Sequence, residues 1–173
     1  MYLVISTSLS DSSRSRILAR FAADQLRTKA SECEWVDLAK LPLPACDGGT
    51  CYEDPNVQHI NQLIQKSQGI LIAAPVYNYD LSSTAKNLVE LTGKSWTDKI
   101  VGFLCAAGGQ ASYMSVMGLA NSLMLDFRTF ILPRFVYATG ESFSGNDIAE
   151  TNVEERVEEL VDQLIRFSTA LNP

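Results

Sequence analysis

Histidine is almost absent from this chain: among its 173 residues only His59 carries an imidazole, and only Cys33, Cys46, Cys51 and Cys105 carry thiols. So few ligands leave a zinc or iron–sulfur centre without enough neighbours. Basic character is missing as well. The net charge is −6 and no stripe of Lys and Arg stands out, which excludes nucleic acid as an expected partner. No apolar run approaches the roughly 18 residues of a membrane span, and there is no low-complexity tract or excess of Pro and Gly. Met1-Tyr2-Leu3-Val4-Ile5-Ser6 lacks the basic region and the length of a signal peptide, so it reads as a first strand and a cytoplasmic protein is expected. Neither Gly-x-x-x-x-Gly-Lys nor Gly-x-Gly-x-x-Gly occurs, which excludes a Walker A loop and disfavours a dinucleotide-binding Rossmann domain. Cys46 and Cys51 lie in a turn-rich stretch and read as two surface-loop thiols rather than a reversible disulfide.

What is present is an alternation. Short apolar, β-branched runs are separated by longer segments of helical period, the pattern of a parallel sheet with crossover helices. Strands are expected at Tyr2–Ser6, Glu34–Leu38, Gly69–Ala74, Lys99–Ala107 and Thr129–Ala138, the last interrupted by Pro133 and so placed at an edge. Gly69–Ala74 is nearly continuous apolar sequence, as a strand buried on both faces requires. Helices are expected at Ser13–Lys29, Asn56–Ser67, Ser82–Thr92, Ser112–Asp126 and Thr151–Leu171. Five strands and five helices predict one three-layer α/β domain over 1–173, long enough to bury a substantial core. The strand number favours a flavodoxin-like, five-stranded parallel sheet of order 2-1-3-4-5 with helices on both faces. Ligands of such sheets bind outside the carboxyl ends of the strands, so the loops after strands one, three and four carry the functional signal.

The first of these runs Ser6-Thr-Ser-Leu-Ser-Asp-Ser-Ser-Arg-Ser15, and six of its ten residues are serine. Hydroxyls, free amides and a helix N-terminus together make an anion site, with Ser8, Ser10, Ser13, Arg14 and Ser15 as phosphate ligands. The plainer alternative is a loop that only caps its helix through Ser13 or Asp11. The second loop contains Pro75, Val76, Tyr77, Asn78 and Tyr79. An aromatic pair around an asparagine suits a flat heteroaromatic ring, against the alternative of an ordinary turn. The third, Cys105-Ala-Ala-Gly-Gly-Gln-Ala-Ser-Tyr113, offers the paired Gly108 and Gly109 for close backbone approach and positive φ, with Gln110, Ser112 and Tyr113 beside them.

Together these loops resemble those of the NADPH-dependent FMN reductase family. Thr7-Ser8-Leu9-Ser10 through Ser13-Arg14-Ser15 is similar to its phosphate loop, Pro75-Val-Tyr77-Asn78 with Lys86-Asn87 to its Pro-x-Tyr-Asn segment, and Gly108-Gly109 to its glycine pair. The family's usual glycine is replaced by Thr7 and its usual arginine by Ser10, with Arg14 offered as the charge instead. The resemblance implies FMN as cofactor and NADPH or NADH as co-substrate. It places Pro75–Tyr79 along the isoalloxazine, Asn78 at its pyrimidine edge, and Gly108, Gly109, Gln110, Ser112 and Tyr113 around the rest of the ring. Hydride would pass from nicotinamide to FMN and on to a quinone, free flavin or similar acceptor by a ping-pong route; chemistry at flavin N5 needs no general base, so no catalytic side chain is expected.

Two alternatives belong to other classes: a one-electron carrier of the flavodoxin type, and a flavin-free interaction domain such as a phosphoacceptor receiver. The carrier's Thr-x-Thr-Gly-x-Thr loop is absent, and Ser6-Thr7-Ser8 and Ala74-Pro75 lack the acidic residues of a receiver. The family forms dimers or tetramers. Met114, Val116, Met117, Leu119, Leu123, Met124 and Leu125 make one helix apolar over more than one stripe, which predicts burial against a second subunit as well as the sheet. Trp35 and Trp96 are expected to be packing residues, Cys105 a small core residue, His59 a solvent-facing one, and Glu154, Glu155, Glu158 and Glu159 a solvated helical face.

Overall fold

In the computed structural model residues 1–30 and 32–171 are described. β1 (Tyr2–Ser6) and β3 (Gly69–Tyr77) are apolar almost throughout because both lie between layers of helix; β1 is wholly buried and β3 is buried up to Val76. α1 (Arg14–Ala30), β2 (Cys33–Asp37) and α2 (Pro55–Lys66) complete the first half of the alternation. The second half is β4 (Asp80–Leu81), α3 (Ser83–Thr92), β5 (Ile100–Ala106), α4 (Met117–Phe127), β6 (Phe130–Ile131), β7 (Val136–Ala138), β8 (Phe143–Ser144), β9 (Asp147–Ile148) and α5 (Thr151–Leu171).

The parallel strands run β2-β1-β3-β5, with β6 and β7 successively pairing the outer side of β5. This is the expected order 2-1-3-4-5, its fifth strand broken in two. Ile131 stands opposite Val101 and Val136 opposite Leu104, so four residues of the edge strand lie between these pairs against two of β5. The surplus is a bulge through Pro133, with Arg134 at φ 57, tolerated because among the described residues no strand pairs on the far side.

Each face of the sheet buries its own cluster. α2, α3 and α4 cover one through Ile60, Ile64, Leu88, Leu119 and Leu123; α1 and α5 cover the other through Leu18, Ala22, Leu26, Val157, Leu160 and Leu164. α5 comes close because β5 and β3 carry glycine beneath it. A Cβ at Gly102 would stand 2.8 Å from Leu71 Cδ2 and 3.2 Å from Leu160 Cδ1, and one at Gly69 2.9 Å from Leu164 Cγ. Among the described residues no helix is long and apolar enough to cross a membrane.

Several expected boundaries move. β3 does not stop at Ala74 but continues to Tyr77 and turns back into β4, with Val76 opposite Leu81 and Tyr77 opposite Asp80. Pro75 is admitted because β1 ends before it: Ala73 O accepts from Thr7 N, whereas Pro75 O accepts from Ser82 N in the returning chain. The fourth helix does not begin at Ser112. Gln110–Val116 forms 3₁₀ turns, with Ser112 at φ −96 and ψ 25, and the α-helix starts at Met117. The antiparallel pair β8–β9 was not expected at all.

Candidate functional site

The three loops do converge, at the carboxyl ends of β1, β3 and β5, around a cleft of about 670 Å³. That is within the roughly 300–1,000 Å³ typical of small-molecule sites. Ser8, Ser10, Ser13, Arg14 and Ser15 line it from the first loop, Pro75, Val76 and Tyr77 from the second, and Gly108 from the third. Asn78, Tyr79, Gly109, Gln110, Ser112 and Tyr113 do not line this cleft. They sit outside it, on the continuation of the same two loops.

The first loop is held from within. The Arg16 guanidinium donates to the carbonyls of Ser8 (3.1 Å), Ser10 (2.7 Å) and Asp11 (3.2 Å), and its Nε lies 2.8 Å from Asp37 Oδ2 at the end of β2. Three carbonyls turned toward one cation draw the loop around Arg16. Ser13 caps α1, its Oγ accepting from Arg16 N (3.2 Å) and meeting Ser15 Oγ at 3.1 Å. The capping alternative and the anion alternative therefore share Ser13. The amides of Arg14 and Ser15, in the first helical turn, have no intrahelical acceptor. Thr7, where glycine was the family norm, is fully buried; its hydroxyl donates to Ala73 O and meets Ser82 Oγ, while Thr84 Oγ1 donates to Thr7 O. That hydroxyl fastens the first loop to β3 and to the start of α3. Ser82, at the N-cap position of α3, makes no capping bond, its hydroxyl being engaged with Thr7 and Thr84.

Arg14 is different from Arg16. Its side chain is exposed and lines the cleft, and it has no hydrogen bond or ion pair among the described residues. Its Nη1 rests over Gly140, where a Cβ would come within 2.8 Å. An unpaired guanidinium beside serine hydroxyls that bond only to one another and to backbone amides, at a helix N-terminus, is a ready anion site.

In the second loop Asn78 and Tyr79 form the two-residue turn between β3 and β4, with φ 51 and 64. Asparagine tolerates the left-handed region, whereas for tyrosine it costs about 1–2 kcal/mol. Tyr77 and Tyr79 are held outward, 56% and 67% exposed. In the third loop positive φ is not adopted at Gly108 or Gly109; Gly109 is extended at φ −166. What the pair provides is emptiness, since a Cβ at either residue would meet no atom within 4 Å among the described residues beyond its own chain neighbours. Tyr137 Oη donates to Gly109 O, and Tyr113 packs on Phe135 and Tyr137 with ring centroids 4.8 and 5.5 Å apart. Tyr113 thus props the loop from outside the cleft.

Residues not singled out from the sequence also line the cleft: Arg16, Arg20 and Trp35, together with Gly145 and Asn146 from the turn between β8 and β9. Trp35 Nε1 donates to Ser6 Oγ at 2.9 Å, so this tryptophan is part of a wall rather than only packing; Trp96 is fully buried. Glycine followed by asparagine between Phe143 and Ile148 is a hairpin signal that could have revealed the turn. His59 is exposed. All four cysteines are free thiols; Cys46 Sγ lies 3.5 Å from Tyr52 Oη, Cys51 is buried beside Val57 and Leu91, and burial pushes the Cys105 thiol up to about 12.

Comparison with known proteins agrees with this geometry. Residues 2–144 match the family described as NADPH-dependent FMN reductase. An NADH-dependent FMN reductase of Pseudomonas putida is 25% identical over 173 residues, covering 95% of this chain and 91% of that protein. An NADPH:quinone oxidoreductase of Arabidopsis thaliana is 26% identical over 141 residues, 78% of this chain and 71% of that protein. The solved structure of FerB, a flavoenzyme NAD(P)H:(acceptor) oxidoreductase from Paracoccus denitrificans, shares the fold with a TM-score of 0.79 over 98% of this chain and 97% of that one, at 17% identity. The chain belongs to the NADPH-dependent FMN reductase family. It is a flavin-dependent oxidoreductase, with FMN as its cofactor and a nicotinamide nucleotide as co-substrate.

Proposed function

We propose that this enzyme takes hydride from NADPH or NADH and delivers the electrons to a quinone, free flavin or similar small acceptor, the two substrates using one site in turn. The observation that carries the reading is the cleft itself, with unpaired Arg14 at one end and the bare Gly108–Gly109 shelf near the other. Bound there, FMN supplies hydride chemistry at its N5. Ser8, Ser10, Ser13 and Ser15 hold its phosphate by hydroxyl and amide donors, and Arg14 neutralises the charge. Pro75, Val76 and Tyr77 form the apolar wall for the ring, with Asn78 at its polar edge. Amides near Gly109 donate toward the side of the ring where negative charge collects on reduction, as preorganised donors do.

Asn78, Tyr79, Gly109, Gln110, Ser112 and Tyr113 form the outer rim of the same site in this reading. Beside them Met114, Met117, Met124 and Leu125 are exposed, Leu125 to 78%, while Val116, Leu119 and Leu123 of the same segment are buried. A second copy covering this face in a homodimer or homotetramer closes the rim over the ring. The whole chain, 1–173, acts as one FMN-binding domain of a cytoplasmic enzyme. Steady-state rates with NADPH or NADH against quinone and free-flavin acceptors test the reading. Parallel double-reciprocal lines support the shared site, and intersecting lines contradict it. Sedimentation at micromolar concentration tests the assembly, a monomer counting against it.

A further inference from the structure

The segment 139–150 crosses the arginine end of the cleft. Its base is tied by Thr139 N donating to Ser142 Oγ (3.3 Å), Ser142 Oγ to Glu150 Oε2 (3.2 Å) and Ala149 N to Ser142 O (2.8 Å). From that base β8 and β9 rise as a hairpin whose central residues are Gly145, at φ 57, and Asn146. Positive φ at the first central residue alone is the signature of a tight hairpin turn that needs glycine there. The tip is fastened to α1: Arg20 donates to the Asn146 carbonyl and pairs with Asp147 Oδ1 at 3.2 Å. Gly145, Asn146 and Arg20 all line the cleft beside Ser13 and Arg14. At the base of the same segment Gly140 lies directly under the Arg14 guanidinium.

We infer that this hairpin is a fourth element of the FMN site, with Asn146 as a further ligand of the phosphate and Arg20 as the positioning residue that holds it there. The inference rests on the FMN reading above. The geometry gives each residue a separate part. Arg20 places one nitrogen, Nη2, between Asp147 Oδ1 and a carbonyl of the tip, so both of its contacts go to the hairpin and it acts through that hairpin. Arg14 keeps its charge free. Asn146 has its carbonyl held by Arg20, and its side-chain amide makes no hydrogen bond among the described residues. A carboxamide in that place donates to a phosphate oxygen without adding charge.

The test is equilibrium binding of FMN and of riboflavin, which lacks the phosphate, to the flavin-free wild type, Asn146→Ala, Asn146→Asp, Arg20→Ala and Arg20→Lys. Asn146→Ala is expected to weaken FMN about tenfold, the value of one bond to a charged group, and to leave riboflavin unchanged; Asn146→Asp weakens FMN further by repulsion. Arg20→Ala matches Asn146→Ala, and Arg20→Lys recovers part of the loss. Hydrogen exchange in the wild type is expected to slow at 143–148 with FMN and not with riboflavin. FMN uptake by the wild type with full affinity in Asn146→Ala and Arg20→Ala overturns the inference alone, as does an equal loss of both flavins, which marks a merely structural hairpin. A wild type that takes up no FMN overturns the reading and the inference together.

Discussion

Gly108 offers a perturbation whose effects on the protein and on its ligand have opposite signs. A Cβ there would meet no atom of the described residues within 4 Å beyond its chain neighbours, and its backbone does not lie in the left-handed region. Gly108→Ala should therefore leave the folded protein unstrained while restricting the unfolded chain, a gain of about 0.4–1 kcal/mol. For a domain of this size that raises the melting temperature of the flavin-free protein by roughly 1–4 °C. The same methyl projects from a residue lining the cleft. Against a ring seated on the glycine shelf it acts as an overpacking substitution, costing about 1–3 kcal/mol, or roughly 5- to 150-fold in Kd. Calorimetry of the flavin-free variant and fluorescence-quenching titrations with FMN and riboflavin read the two effects separately. Both flavins should weaken equally, since both carry the ring. Unchanged affinity for both would refute the placement of the ring against Gly108, and a lowered melting temperature would refute the claim that the space above it is empty of protein.

Arg14→Ala should weaken FMN at least tenfold, the lower end for a charge-assisted bond, and riboflavin not at all; the FMN loss should shrink as salt is raised. Gly102→Ala should destabilise the fold by about 1–3 kcal/mol in urea unfolding, because its Cβ would stand 2.8 Å from buried Leu71. Burial raises the Cys105 thiol from 9.0 to about 12, so the folded state keeps a proton that the unfolded chain has lost. Its contribution to stability is intact below pH 9 and is lost as pH climbs toward 12, the range over which the pKa is raised. The urea midpoint should accordingly fall less steeply between pH 8 and pH 10 in Cys105→Ala than in the wild type, under conditions chosen by that shift.

The layers of the fold were legible because burial on both faces leaves only apolar residues in strands such as Gly69–Ala74, and because α1, α2 and α5 carry apolar residues at helical spacing. Pro133 marked the broken edge strand correctly, since an edge is where a missing N–H is tolerated. The return of β3 through Asn78 and Tyr79 was hidden for the opposite reason: a turn demanding positive φ at both residues usually shows glycine, and here shows tyrosine. β8 and β9 were hidden because two-residue strands have no periodicity, leaving the Gly145-Asn146 pair as the cue. In the site, residue types in the first loop pointed to Arg14 but gave no hint that Arg16, two positions on, is spent on three carbonyls and Asp37. That division of labour depends on the distance to β2, which no local pattern encodes. The glycine pair follows β5 as the sequence implies, with Gly108 lining the cleft and Gly109 outside it, and neither adopts the positive φ that was expected.

The most direct test of the account is an anaerobic titration of the FMN-loaded protein with NADH and, separately, NADPH, followed by a quinone. Stoichiometric loss of the yellow absorbance with at least one nucleotide, and its full return on adding quinone, is the predicted result. FMN that stays bound and yellow in excess of both nucleotides would contradict it.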